Sequence, residues 1–360
     1  MLSRAITPTA VRVRGCQRKL AQPTMNIKEI AKRAGVSTAT VSRAINRIPT
    51  VDPHLAKRVW KIVEELGYYP DKQARALVSG ESGIFGLIVS DLTDPFFPEV
   101  VQAFDKRASR HNYETMLSSA VRERKEMEAA VRRMIERRVD GIAILNFGTD
   151  ESLLEILRFR NVPLVVLDSR SQMPGVASIR IDYQHGIRQA VQHLAALRHS
   201  RIAFVGGPPD FNRAVARRRA FEESMQEIEL PIPPEFIVVG DHTIEGGMHA
   251  LRTLAALPLR PTAVLCSNDM SAIGALRQAA DSGITVPNEL SVVGVDDIRL
   301  AQFTTPPLTT VQISQVELAA LAFGALIEGM KKDKEIPSTH EYALTSRLVL
   351  RGTTMLGRTE

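Results

Sequence analysis

The chain has 360 residues, 44% of them hydrophobic and 24% charged, with 46 lysines and arginines against 40 aspartates and glutamates and a formal net charge of +6. That length suggests more than one domain, and that hydrophobic share permits sizeable cores. Two distant cysteines, Cys16 and Cys266, give no disulfide framework, the eight histidines show no metal-ligand spacing, and no stretch is apolar enough to span a membrane, so a disulfide scaffold, a zinc site and a membrane protein are set aside.

Residues 1 to 24 carry five basic and no acidic residues. They fit no element and contain no apolar run of seven, which argues against a secretory signal. They read as a flexible basic arm, a disordered extension or a misassigned start. Residues 25 to 80 carry ten basic and five acidic residues, leaving a net of about −4 over the rest of the chain. Positive charge is thus concentrated near the start, as phosphate binding through counterion release requires.

The stretch NIKEIAKRAGVSTATVSRAINR, residues 26 to 47, predicts two short helices around a tight turn. Asn26 and Glu29 have capping-box spacing. Ile27, Ile30, Ala31 and Ala34 share one apolar face, Gly35 turns the chain, and Ser37 caps the second helix. That helix buries Val41, Ala44 and Ile45 and presents Thr38, Ala39, Ser42, Arg43 and Asn46. A slim polar start followed by a guanidinium suits a helix that reads a DNA major groove. An ordinary helical hairpin shares the pattern. The next segment favours the DNA reading: Asp52 and Pro53 start a third helix, Leu55, Val59, Ile62, Val63 and Leu66 form its apolar stripe, and Gly67 ends it.

The runs GVSTATVSRAIN and ELGYYPDKQARAL resemble the DNA-binding headpiece of the lactose-repressor (LacI/GalR) family, and the resemblance extends from residue 25 to about 353. It implies a dimeric, ligand-controlled bacterial transcriptional regulator, a repressor by family default, acting in the cytoplasm at the nucleoid. Met25 stands where family members start. A hinge helix should follow the third helix, with Leu77 wedging into the minor groove beside Ala74 and Arg75. The family usually has Asn at Asp71. By the same resemblance Thr38, Ala39 and Arg43 read bases, while Asn26, Ser37, Thr40, Ser42, Asn46 and Thr50 hold phosphates and set register.

From residue 83 apolar strands alternate with helices in the rhythm of doubly wound sheets. The strands are expected at IFGLIVS, ETMLSS, GIAILN, PLVVLD, RIAFVGG, FIVVGD, TAVLCSN, LSVVGVDD and ALTSRLVLRG. The expected fold is therefore α/β: a three-helix helix-turn-helix headpiece and hinge helix, then a two-lobed doubly wound core like that of periplasmic sugar-binding proteins. The boundaries are 1–24 extension, 25–70 headpiece, 71–82 hinge and linker, and 83–360 core. Lobe 1 spans about 83–183 and 313–340, and lobe 2 about 184–312 and 341–360.

Ligands in such sheets sit off the carboxyl ends of strands. Candidates there are Asp91, Asp94, Phe96 and Phe97 after the first strand, Asp168, His242, Asn268 and Asp296 after later ones, and Arg213 and Arg217 in FNRAVARRRAF. Carboxylates at strand ends accept from ligand hydroxyls or cap the next helix. The phenylalanines stack on a ligand or pack below the cleft. Asp269 reads as the cap of its helix. The resemblance favours ligand contact for Asp296, Asn268 and Arg217. Arg213 stands where the family often has a small residue, which points to a sugar acid or phosphosugar if it faces the cleft, although an arginine also serves neutral hydroxyls.

The partners implied are operator DNA as a near-palindromic site, a small-molecule effector (sugar, sugar acid or phosphosugar) and a second copy of the chain, with no membrane, metal or cofactor. A periplasmic sugar-binding protein would need a signal sequence and no headpiece. An enzyme of the doubly wound class would need a nucleophile elbow, a P-loop or a GxGxxG after a strand, and none is found. No apolar heptad follows the last strand, so a dimer is expected rather than a tail-mediated tetramer.

Overall fold

The computed structural model describes residues 27–45, 48–68, 81–120, 124–145, 154, 162–168, 173, 175–331 and 340–357. The expectations for residues 1 to 24, Asn26, Asn46, Ala74, Arg75, Leu77 and the hinge helix lie outside these residues.

Among the described residues the first compact unit holds three helices: α1 (Ile27–Ala34), α2 (Thr38–Ile45) and α3 (Pro53–Glu65). Their apolar faces meet in one small core of Ile30, Ala31, Ala34, Val41, Ala44, Ile45, Val59, Val63 and Leu66. Gly35 turns between α1 and α2 at φ +64°, a conformation glycine adopts without a Cβ penalty. Asp52 caps α3, its Oδ1 accepting from the amides of His54 and Leu55 at 3.0 Å. Pro53 at the first helical position loses nothing, because that amide has no helical partner.

In the second unit the strands and helices are β1 (Ile84–Val89), α4 (Phe96–Arg110), β2 (Glu114–Ser119), α5 (Arg124–Glu136), β3 (Gly141–Leu145), β4 (Leu164–Leu167), β5 (Val176–Asp182) and α6 (Tyr183–Ala196). They continue as β6 (Ile202–Val205), α7 (Asn212–Glu227), β7 (Ile237–Val238), α8 (Ile244–Ala255), β8 (Ala263–Cys266), α9 (Asp269–Asp281), β9 (Ser291–Asp296), β10 (Thr309–Gln312), α10 (Gln315–Gly329), β11 (His340–Thr345) and β12 (Arg347–Val349). One sheet has the order β11-β5-β4-β3-β1-β2, and the other β12-β10-β9-β8-β6-β7. Among the described residues all pairings are parallel except β12 on β10. Strands such as β3, β4, β6 and β8 are buried along their whole length, which is why they read as unbroken apolar runs.

Two expectations are corrected. The strand read over ALTSRLVLRG is two strands: β11 joins the first sheet beside β5, and β12 joins the second beside β10. A hydrophobic pattern does not record which sheet a strand enters, so the break at Ser346 was invisible. In FIVVGD only Ile237 and Val238 pair, because β7 is a short edge strand bonded to β6 alone.

The chain passes between the two sheets after β5, after β10 and after β11. Ser346 ties two of these passages together. Its buried hydroxyl donates to the Asp182 carbonyl at 2.5 Å and accepts from the Gly186 amide at 3.0 Å. A Cβ on Gly186 would lie 2.4 Å from Val311 and 2.6 Å from the Ser346 hydroxyl, so this crossing packs only with glycine.

Candidate functional sites

On the headpiece the exposed side chains of Ser37, Thr38, Ala39 and Arg43 lie on or just before α2, with Thr40 and Ser42 half-buried and Thr50 exposed beyond. The Ser37 hydroxyl accepts from the Thr40 amide at 3.1 Å and bonds its hydroxyl at 2.9 Å, so both residues fix the start of the helix. Glu29 pairs forward with Arg33 at 3.1 Å. Because Val41, Ala44 and Ile45 anchor the inner face, Arg43 points outward from a rigid support.

In the second unit the candidates gather where the carboxyl ends of the two sheets face each other. Arg217, on α7, is 1% exposed. Its Nη2 donates to Asp296 Oδ1 at 2.5 Å and its Nη1 to the Ser267 carbonyl at 2.5 Å. Its guanidinium carbon lies 4.9 Å from the centroid of the Tyr183 ring. Tyr183 in turn donates its hydroxyl to Asp168 Oδ2 at 2.9 Å, and Asp168 Oδ1 accepts from the Ile181 amide at 2.9 Å. A single line of contacts therefore runs Asp168–Tyr183–Arg217–Asp296, from the end of β4 to the end of β9.

A second line begins at the same helix. Arg213, one turn before Arg217, lies 3.7 Å from Asp94 Oδ2 and 5.6 Å from the Phe211 ring centroid. Phe211 stacks on His242 at 6.2 Å. His242 Nε2 bonds the Ser267 hydroxyl at 2.8 Å, and Asn268 Nδ2 donates to the His242 carbonyl at 3.0 Å.

The backbone here is strained in three places. Asp168 has φ 48°, His242 φ 67° and Asp296 φ 114°, a region L-residues seldom enter. Such outliers persist only where surrounding contacts fix them, and they cluster at functional sites. The Asp296 carbonyl is held by Gln315 Nε2 at 3.1 Å.

Electrostatics follow from burial. Burial pushes the Asp168 carboxyl up, against the Ile181 amide and the Tyr183 hydroxyl. Burial pulls the Arg217 guanidinium down, but Asp296, Tyr183 and Asp94 together more than offset this and the net shift is upward, so Arg217 stays a cation. The positive charges in the cleft are thus each matched by a carboxylate: Arg217 by Asp296 and Arg213 by Asp94.

Other candidates sit differently. Asp91 bonds the amide and hydroxyl of Thr93. Phe96 and Phe97 are 2% and 0% exposed and belong to the hydrophobic core, ring against ring at 5.4 Å. Asn268 caps α9 through the Ser271 amide at 3.0 Å. Asp269, read from the sequence as the cap, instead accepts from the Thr310 hydroxyl and the Ile298 amide at 2.5 and 2.8 Å and so pins the turn after β9. A cavity of about 370 Å3 opens elsewhere on α7, walled by Ala214, Val215, Ile237 and Val238 and edged by Arg218 and Glu222.

Both units contain segments that match known families. Residues 26–71 match the family described as bacterial regulatory proteins, lacI family, and residues 191–354 match the periplasmic binding protein-like domain. The HTH-type transcriptional repressor PurR of Escherichia coli O139:H28 is 32% identical over 317 residues, 88% of this chain and 93% of that protein. The chain belongs to the lacI family of bacterial regulatory proteins. It is a DNA-binding transcriptional repressor of the small-molecule-responsive kind, and not an enzyme. The structure of a lac repressor dimer bound to operator and the anti-inducer ONPF superposes with a TM-score of 0.82 at 28% identity, covering 92% of this chain and 99% of that one. A complex of the transcriptional regulator CelR with cellobiose gives 0.68 at 27% identity, covering 91% and 99%.

For this lacI-family repressor, sequence reasoning missed Tyr183, Ser267 and Phe211. Tyr183 opens the helix after β5, Ser267 directly precedes Asn268, and Phe211 lies two residues before Arg213. The signal available was position alone, since each sits at a strand end or helix start on the cleft side. No helix among the described residues is long and apolar enough to cross a membrane.

Proposed function

We propose that this repressor binds a near-palindromic operator as a homodimer in the cytoplasm, and that its effector is a neutral, polyhydroxylated small molecule of the sugar class. The observation that carries the effector reading is the matched charge of the cleft. Arg217 is bonded to Asp296 and Arg213 faces Asp94, so no arginine of the pair stands ready to neutralise an anion. An incoming carboxylate or phosphate would have to displace a protein carboxylate. A neutral hydroxyl group can instead donate to Asp296 or Asp168 and accept from an arginine without disturbing the balance. The CelR relative is complexed with cellobiose, which is consistent with this class.

In this reading Asp168, Arg213, Arg217, His242, Asn268 and Asp296 hold the effector, with Asp91, Asp94, Phe96 and Phe97 shaping the first lobe's side of the cleft. Thr38, Ala39 and Arg43 read bases, and Ser37, Thr40, Ser42 and Thr50 set register on phosphates. Leu300 and Phe303, 48% and 70% exposed on the second lobe, offer apolar surface to a second copy, and the lac repressor structure cited above is a dimer on its operator. Two copies match the two halves of a palindrome.

Thermal melting of the full chain against neutral sugars, sugar acids, phosphosugars and purines tests the effector class. A ligand that binds the folded state raises the melting temperature by mass action. A neutral sugar should do so in wild type and fail in Arg217→Ala. Stabilisation by phosphosugars or sugar acids alone would overturn the neutral reading.

A further inference from the structure

Two polar bridges from the start of α4 cross from the first lobe to the second. Asp94, in the turn before α4, places Oδ2 3.7 Å from Arg213 Nη2, with the two side chains 15% and 8% exposed. Further along, Glu99 Oε1 accepts from the backbone amide of Arg299 at 2.9 Å. Arg213 lies just after β6 and Arg299 just after β9, and β8 separates those strands in the sheet. The beginning of α4 is therefore held at two separate points along the carboxyl edge of the second sheet.

Charge makes the first bridge particular. Burial and the neighbouring Arg217 both work against the Arg213 cation, while Asp296 and Asp94 support it. Asp296 is already bonded by Arg217. Asp94 is thus the carboxylate that answers Arg213 from the opposite lobe. A buried charge whose partner is removed is costly, so the lobes separate here only at the expense of that pairing.

We propose that Asp94–Arg213 and Glu99–Arg299 form a two-point interlobe latch, built from the protein's own groups, that fixes the separation of the two lobes. A molecule entering the cleft changes the lobe arrangement only through its differential affinity for the latched and unlatched states. The latch therefore sets how strongly such a molecule must discriminate. It stands on the lobes alone and holds whatever the effector proves to be.

Hydrogen exchange of the full chain with no added small molecule tests it. Asp94→Asn removes the charge but keeps an oxygen for the Phe96 amide, which Asp94 Oδ1 now holds at 3.1 Å, so α4 should still form. The latch predicts severalfold faster exchange across the cleft in residues 297–304, including the Arg299 amide, with the β3 and β8 peptides unchanged. Arg213→Met should give the same change, and the double variant should exchange no faster than the faster single one, because both break one coupling. Unchanged exchange at 297–304 in Asp94→Asn would overturn the latch. Multiplying effects in the double variant would overturn the pairing. Asp94→Asn alone decides the matter if Arg213→Met does not fold.

Discussion

Arg217 and Asp296 meet as a buried two-pronged ion pair, Nη2 to Oδ1 at 2.5 Å and Nη1 to Oδ2 at 3.5 Å, joining α7 to the strained end of β9. Breaking one side of such a pair leaves an uncompensated charge in a dry site. Arg217→Ala is expected to destabilise the core by about 3–5 kcal/mol, whereas Arg217→Met with Asp296→Leu should cost less, because no charge is left buried alone. Urea denaturation of the three proteins checks this ordering. Equal losses would mean that the pair is not the controlling interaction.

The crossing at Gly186 makes a second prediction. A methyl there must displace Val311 and the Ser346 hydroxyl, which ties two interlobe passages together. Gly186→Ala should cost about 1–3 kcal/mol, as overpacking does. A shift in the urea midpoint reads this directly, and wild-type stability would show that the crossing can relax.

Two histidines give the protein a pH dependence of calculable sign. Burial lowers the pKa of His193 and His199. For His199, burial outweighs the bond from Nε2 to the Met355 carbonyl at 3.0 Å, which acts in the opposite direction. The unfolded chain takes up these protons at higher pH than the native one. Their stabilisation is complete above the ordinary histidine value of about 6.5 and is lost as pH falls below it towards the lowered native values. The melting temperature should therefore drop between neutral pH and mildly acid pH, and less steeply in His199→Asn. That difference profile isolates the ring from Asp168 and Asp296, whose raised carboxyl values act in the opposite sense.

On DNA, Arg43 is exposed on a helix whose inner face is locked by Val41, Ala44 and Ile45. Arg43→Ala should relax preference at one base pair by about 1–3 kcal/mol. Selection of duplexes from a random pool by the two proteins measures it. Equal weakening on all sequences would assign Arg43 to the phosphates instead.

Much of the architecture was legible because its signals are local. Caps, the Gly35 turn and helical spacing all lie within a few residues of one another, and buried strands announce themselves as apolar runs. The candidate aspartates could be named because strand ends can be located, and the arginines through the family resemblance. Their partners were not. Arg217 reaches Ser267 over 50 positions and Asp296 over 79, and no periodicity links residues so far apart. Tyr183 carries no local sequence signal of its place beside the Arg217 guanidinium. Arg213 suggested an anionic ligand from the sequence, and no local pattern records the approach of Asp94 from the other lobe.

The most direct test measures the affinity of the full chain for the duplex it selects from a random pool, with and without the small molecule that raises its melting temperature. Allosteric coupling typically amounts to about 5–150-fold. The account predicts a near-palindromic duplex whose affinity changes within that range when a neutral sugar is added, with the change abolished in Arg217→Ala. A sugar that stabilises the protein yet leaves duplex affinity unaltered would contradict it.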